Sequence, residues 1–208
     1  MMMSYSKRFV FIHIDKTAGT SVKDALYKYC WYPHESIWNT FLKRMGIRYY
    51  SEEFYDHIRA YELQRYLSPL VYQRMFKFAF TRNPWDWMLS SYTYFLKNRN
   101  MHPHTYYQEN INSFRDFILW QVNTPMVYHT QSEYITDKHG KLIVDFAGKF
   151  ERLNEDFQHI CRQIGIEEKL PHLNLSKQSG YQHEYDAACK DLVYKHYRQD
   201  IEMFGYEF

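Results

Sequence analysis

Residues 9–31 read FVFIHIDKTAGTSVKDALYKYCW, and their order decides the fold: an apolar run, a short polar loop, then apolar residues at helical spacing. The run over residues 9–14 predicts a buried strand, and the segment from about Ser21 predicts a helix. A strand that feeds a helix through a tight turn aims the first backbone N–H groups of the helix, and the positive end of its dipole, back at the turn. Lys16 adds a full positive charge, Thr17, Ala18 and Gly19 supply main chain that can wrap an anion, and Thr20 and Ser21 add hydroxyl donors. The expected ligand is a phosphate or a close chemical relative.

The loop does not follow the nucleotide-triphosphate P-loop, where glycines precede Gly-Lys-Ser/Thr. Here Lys16 comes before Gly19 and sits near the strand end. A second strand-turn-helix unit appears at residues 76–96, FKFAFTRNPWDWMLSSYTYFL. Phe76, Phe78 and Phe80 alternate, Asn83 suits an N-cap, and Pro84 suits the first helical position. Arg82 falls at the strand's carboxyl end and Ser90 in the following helix, a guanidinium fork and a hydroxyl suited to a second phosphate. Alone, KTAGTS also fits an ordinary capped turn, and RNPWDW a helix start with a surface arginine. Both units in sequence point to a ligand with two phosphate-like groups.

The segment HIDKTAGTS resembles the HIPKTAGTS signature of the Golgi-type carbohydrate sulfotransferases and their bacterial relatives, sulfotransferase family 2. In that family the loop binds the 5′-phosphosulfate of 3′-phosphoadenosine 5′-phosphosulfate (PAPS). Asp15 departs from the family's usual proline, and an acid beside an anion site is unfavourable unless its side chain turns away. Arg82, Asn83, Pro84, Ser90 and Tyr92 fit the family's 3′-phosphate motif. The resemblance continues through residues 134–166, through 170–181 with an Asn-x-Ser loop, and through the last helix, so it covers nearly the whole chain. It implies that Lys16, Thr17, Ala18, Gly19, Thr20, Ser21, Arg82, Ser90, Ser176 and Lys177 bind the donor. Gln131 and Glu151 fall at recurrent polar positions of the family.

Sulfuryl transfer to a hydroxyl needs a proton acceptor, a cation at the leaving oxygen and an in-line approach. Lys16 is assigned the cation and His57, in YDHIRAYEL, the base. An ordinary imidazole titrates at about 6.5 and so can take and release a proton near neutrality. Related glycosaminoglycan sulfotransferases carry a histidine at the corresponding place. Glu35, Glu52 and Glu53 are the rival bases, Asp56 could orient the imidazole, and Arg59 could meet an anionic acceptor.

The 208 residues include only seven glycines and six prolines, without a repeat or linker, which predicts one domain over residues 1–208. Strand-like runs at residues 9–14, 76–81 and 142–146, with helical patterns between them, predict an α/β fold: a P-loop-like sulfotransferase fold whose central, mostly parallel sheet is flanked by helices. The net charge of +2, from 26 basic and 24 acidic residues, argues against a nucleic-acid partner. His102 and His104 have no partner at metal-ligand spacing, and no metal is expected. No run is long and apolar enough to span a bilayer, and only MMMSYSKR precedes Phe9, so neither a signal peptide nor a transmembrane anchor is expected. Three scattered cysteines, Cys30, Cys161 and Cys189, suit a reducing compartment. The resulting expectation is a cytoplasmic enzyme of bacterial type, or a Golgi-type one trimmed of its anchor. Its acceptor is expected to be a carbohydrate or glycolipid, with PAPS as donor. An ATP-dependent P-loop-type kinase and a noncatalytic nucleotide- or glycan-binding protein are the alternatives.

Overall fold

A computed structural model describes residues 2–30, 57–64, 67–98, 111–124, 129–171 and 180–208. They fall into two compact units, one from Met1–Phe80 with Glu133–Leu173 and the other from Thr81–Ser132 with Asn174–Phe208. The fold is α/β, with a mostly parallel sheet in the first unit.

The sheet has four strands in the order β1 (Met2–Ser4), β2 (Phe9–Ile12), β3 (Phe76–Thr81) and β4 (Phe146–Lys149). β1 is antiparallel to β2, whereas β3 is parallel to it, with Phe9 opposite Phe76 and Ile12 opposite Ala79. Every residue of β2 is fully buried, the pattern of a strand covered on both faces. β1 was not anticipated: three residues of MMS carry no alternation a sequence reading can use, and only pairing with β2 makes them a strand. The run at 142–146 is also corrected. Leu142 makes only an isolated bridge to Thr136, and β4 begins at Phe146.

One sheet face carries Phe9, Phe11, Phe78 and Phe80, with the Phe11 and Phe78 rings stacked at 5.2 Å. The same core holds Val22 and Leu26 of helix α1 (Gly19–Leu26), and Phe157, Ile160 and Ile164 of a helix over Leu153–Ile164. A Cβ at Gly148 would lie 2.7 Å from Phe80 Cε1, so glycine in β4 lets that ring lie across the strand. Between these come α2 (Ala60–Leu63) and α3 (Pro69–Arg74), whose cap Ser68 accepts from the Val71 N–H.

The second unit is helical. Its elements are α4 (Pro84–Lys97), α5 (Phe114–Asn123), α8 (Ala187–His196) and α9 (Arg198–Phe204); α6 (Gln131–Ile135) begins in this unit, and α7 is the Leu153–Ile164 helix of the first. The expected cap is present: Asn83 Oδ1 accepts from the Trp85 N–H, and Pro84 opens α4. Trp85, Trp87, Met88 and Phe95 of α4 share a core with Phe117 and Ile118 of α5 and with Val193, Tyr197 and Ile201. Tyr92 packs on Phe114 and Phe117, so its ring serves this core.

Candidate functional site

β2 and β3 run parallel and deliver their carboxyl ends to the same edge of the sheet. After β2, His13 and Ile14 continue the chain into a turn over residues 15–18, and α1 starts at Gly19, two residues earlier than expected. Lys16 (φ 62°) and Ala18 (φ 69°) are left-handed, a conformation that costs about 1–2 kcal/mol for a residue with a Cβ. Alternation of such residues turns successive N–H groups to one side, the geometry of an anion nest. Ala18 is the N-cap and has no side chain to satisfy the first turn, so nothing in the cap itself competes with an anion there. Thr17 is buried, and its hydroxyl donates to the Ile14 carbonyl at 2.8 Å. That bond ties the loop to the strand end and leaves Thr17 its main-chain N–H to offer. Ser21 is buried in the first turn, and Thr20 is exposed.

His57 lies against this loop, although it is 44 residues from His13. Its Nδ1 is 3.2 Å from the His13 carbonyl oxygen, its Nε2 is 3.2 Å from Asp15 Oδ1, and the two imidazole rings are 4.7 Å apart. Asp15, the departure from the family's proline, therefore turns its carboxylate to the candidate base. His13 in turn depends on Gly19, because a Cβ there would fall 1.8 Å from His13 Nε2. One ligand atom each from His13, Asp15 and His57 lies within 4.8 Å of the others. Local metal-ligand spacing does not reveal this group, since its third member comes from 44 residues along the chain from His13. Tyr134 of α6 is also near: burial pushes its phenol up to about 12, with the Asp15 carboxylate adding to the shift. No pattern in the sequence distinguishes it among 21 tyrosines.

Arg82 follows β3 directly and is buried in the helical unit. Its Nε donates to Asp86 Oδ2 at 2.8 Å, so the guanidinium is oriented by a carboxylate one turn along α4. Ser90 is one turn further on that line of α4. The Arg82 main chain is clamped by Gln131, whose Oε1 accepts from the Arg82 N–H and whose Nε2 donates to the Arg82 carbonyl, both at 2.8 Å. Gln131 is itself anchored: Asp200, fully buried, accepts from the N–H groups of Gln131 and Ser132 at 2.8 Å each. The sequence marked Gln131 as a polar position but carried no sign of its partnership with Asp200.

Arg59 pairs with Glu62 at 3.1 Å and caps α2, a local structural role. Glu151 is exposed on a 3₁₀ turn over Phe150–Arg152. Ser176, Lys177, Glu35, Glu52, Glu53, Asp56, His102 and His104 lie outside the described residues. Among the described residues no helix is long and apolar enough to cross a membrane.

The curated relatives include an uncharacterized protein of Archaeoglobus fulgidus, 29% identical over 117 residues, which are 53% of this chain and 85% of that one. The description of the matching protein family is "Sulfotransferase family", and the match runs over residues 1–207, through both units and both strand-turn-helix motifs. By that match, the chain is a member of the sulfotransferase family.

Proposed function

We propose that the protein is a PAPS-dependent sulfotransferase, a single catalytic domain over residues 1–208 that acts by in-line displacement on a hydroxyl of a carbohydrate or glycolipid. The observation that supports this reading is the contact of His57, the candidate proton acceptor, with the loop over residues 13–19, the candidate anion-binding turn. The donor set of that turn suits an anionic group: the Lys16 ammonium, the hydroxyls of Thr20 and Ser21, and the first N–H groups of α1 under an N-cap with no side-chain oxygen. Loop 16–21 is assigned to the 5′-phosphosulfate, and Arg82 and Ser90 to the 3′-phosphate, with Ser176 and Lys177 carried over from the family. When bound, PAPS supplies the sulfuryl group.

Lys16 holds positive charge where negative charge develops on the leaving oxygen, the form of stabilisation that acts most strongly in a water-poor site. The His13 carbonyl can only accept from His57 Nδ1, so Nε2 is the nitrogen left to take the acceptor's proton once it is released from Asp15. Asp15, with a side chain 47% exposed, has room to swing aside as the acceptor hydroxyl takes its place at Nε2. Asp86 accepts from Arg82 Nε and so orients the guanidinium that is assigned to the 3′-phosphate.

The test is calorimetric titration with 3′-phosphoadenosine 5′-phosphate, beside ATP and AMP, with and without magnesium. Metal-independent binding of the bisphosphate that is lost in Arg82→Ala is the expected result. Preference for ATP with magnesium would overturn the reading in favour of a kinase. In turnover assays, His57→Ala is expected to lose about 10²- to 10⁴-fold with bisphosphate affinity retained. Lys16→Ala is expected to abolish transfer while only partly weakening the nucleotide; unchanged turnover in either variant would remove that residue from the mechanism.

A further inference from the structure

We propose that His13, Asp15 and His57 form a binding site for a borderline divalent cation of the Zn²⁺ class, and that a cation there withdraws His57 Nε2 from proton transfer. The binding site stands on geometry alone; its effect on turnover rests on the role of His57 proposed above.

The three side chains offer two imidazole nitrogens and one carboxylate oxygen within 4.8 Å of one another. The Asp15 Oδ1 to His57 Nε2 separation is 3.2 Å. Two ligands on one tetrahedral ion, with bonds of about 2.0 Å, stand about 3.3 Å apart, so this edge is already at coordination distance. The His13 donor lies within 4.8 Å of the other two, so the remaining edges have to shorten toward the same distance as an ion binds. The outer partner is also in place. A metal-bound imidazole commonly donates its other N–H to a carbonyl, which fixes the ring and the coordinating nitrogen. His57 Nδ1 has the His13 carbonyl at 3.2 Å in that role.

Donor chemistry selects the ion. Two imidazoles and one carboxylate suit zinc and its neighbours, whereas magnesium and calcium prefer all-oxygen ligands. His57 and Asp15 have side chains 35% and 47% exposed, so an ion can reach them from solvent. Three protein ligands leave a coordination position for water or an anion. The adjacent positive charge of Lys16 opposes a cation, so binding is expected to be weaker than at a closed four-ligand structural zinc site.

The experiment titrates the full chain with Co²⁺ as a spectroscopic probe and with Zn²⁺ by calorimetry, for the wild type, Asp15→Asn and His57→Ala. One ion per chain, visible Co²⁺ absorption of low-symmetry coordination displaced by Zn²⁺, and more than about 100-fold weaker binding in each variant are expected, since even outer partners are worth 10–100-fold. Absence of Co²⁺ absorption in the wild type, or binding undiminished in both variants, would overturn the site. Thermal melts of the metal-free variants verify that they are folded, and Asp15→Asn, at an exposed side chain, preserves volume. Zn²⁺ is then expected to inhibit sulfuryl transfer, with recovery on chelation. Inhibition absent at saturating Zn²⁺ would overturn the withdrawal of His57, whereas metal binding to a protein that transfers no sulfuryl group would count against the enzymatic reading alone.

Discussion

Replacing Gln131 with leucine isolates the contribution of the clamp on Arg82. The side chain is fully buried and bonds both main-chain polar groups of Arg82 at 2.8 Å. Leucine fills similar volume, so the cavity contribution is small, but it leaves a buried N–H and a buried C=O without their partner. Each such group costs about 1–3 kcal/mol, and a total of about 3 kcal/mol is expected. For a chain of this size, about 2–4 °C per kcal/mol predicts a fall in Tm of about 6–12 °C. Gln131→Glu should not recover the loss, because a second carboxylate oxygen would face the Arg82 carbonyl. Urea unfolding of both variants gives the free energy, and calorimetry with the bisphosphate reads whether Arg82 has lost its setting. A double-mutant cycle with Asp200→Asn should be non-additive, since Asp200 holds the other end of Gln131. A loss below about 1 kcal/mol for Gln131→Leu, or strict additivity with Asp200→Asn, would refute the clamp as a source of stability.

Gly19→Ala places a Cβ 1.8 Å from His13 Nε2 and must displace that imidazole, so turnover is expected to fall while circular dichroism stays native; turnover at the wild-type level would show that the His13 ring is not needed. Burial, with Asp186 adding to it, pushes the Cys189 thiol up to about 11, and burial also raises Cys161. A thiolate reagent near neutral pH should therefore label neither of them before unfolding, as mass spectrometry of the labelled native chain can check. Asp186, the N-cap of α8, and Asp116, in the first turn of α5, are held below the usual carboxylate range, Asp186 by the Cys189 N–H and Asp116 by the Ser113 hydroxyl. A carboxylate with a depressed folded pKa contributes stability above its unfolded value of about 3.9, and that contribution disappears as pH falls through the folded value. Asp186→Asn is thus expected to flatten the loss of Tm on acidification below about pH 4, and an unchanged acid limb would exclude Asp186 from it.

The two strand-turn-helix units were legible because each is short-range. The apolar run over residues 9–12, the Asn83 cap and Pro84 at the helix start are marked by neighbours within a few positions. The same reach explains the errors. β1 exists only through its pairing with β2, and the boundary of β4 depends on its neighbours in the sheet rather than on its own alternation. Lys16, Gly19 and Arg82 could be picked out because charge and glycine at a strand end have a local meaning. Asp200 and Tyr134 could not, since each gains its importance from a partner distant in sequence.

What the sequence determined by itself was the class of fold and the family, both of which follow from local periodicity, turn chemistry and motif order. Tertiary structure decided that Asp15 faces His57, that Gln131 holds the main chain of Arg82, and that Asp200 holds Gln131. The physical reason is that a hydrogen bond acts over about 3 Å of space whatever the separation along the chain, so partners 44 residues apart are set only once the strands and helices have packed.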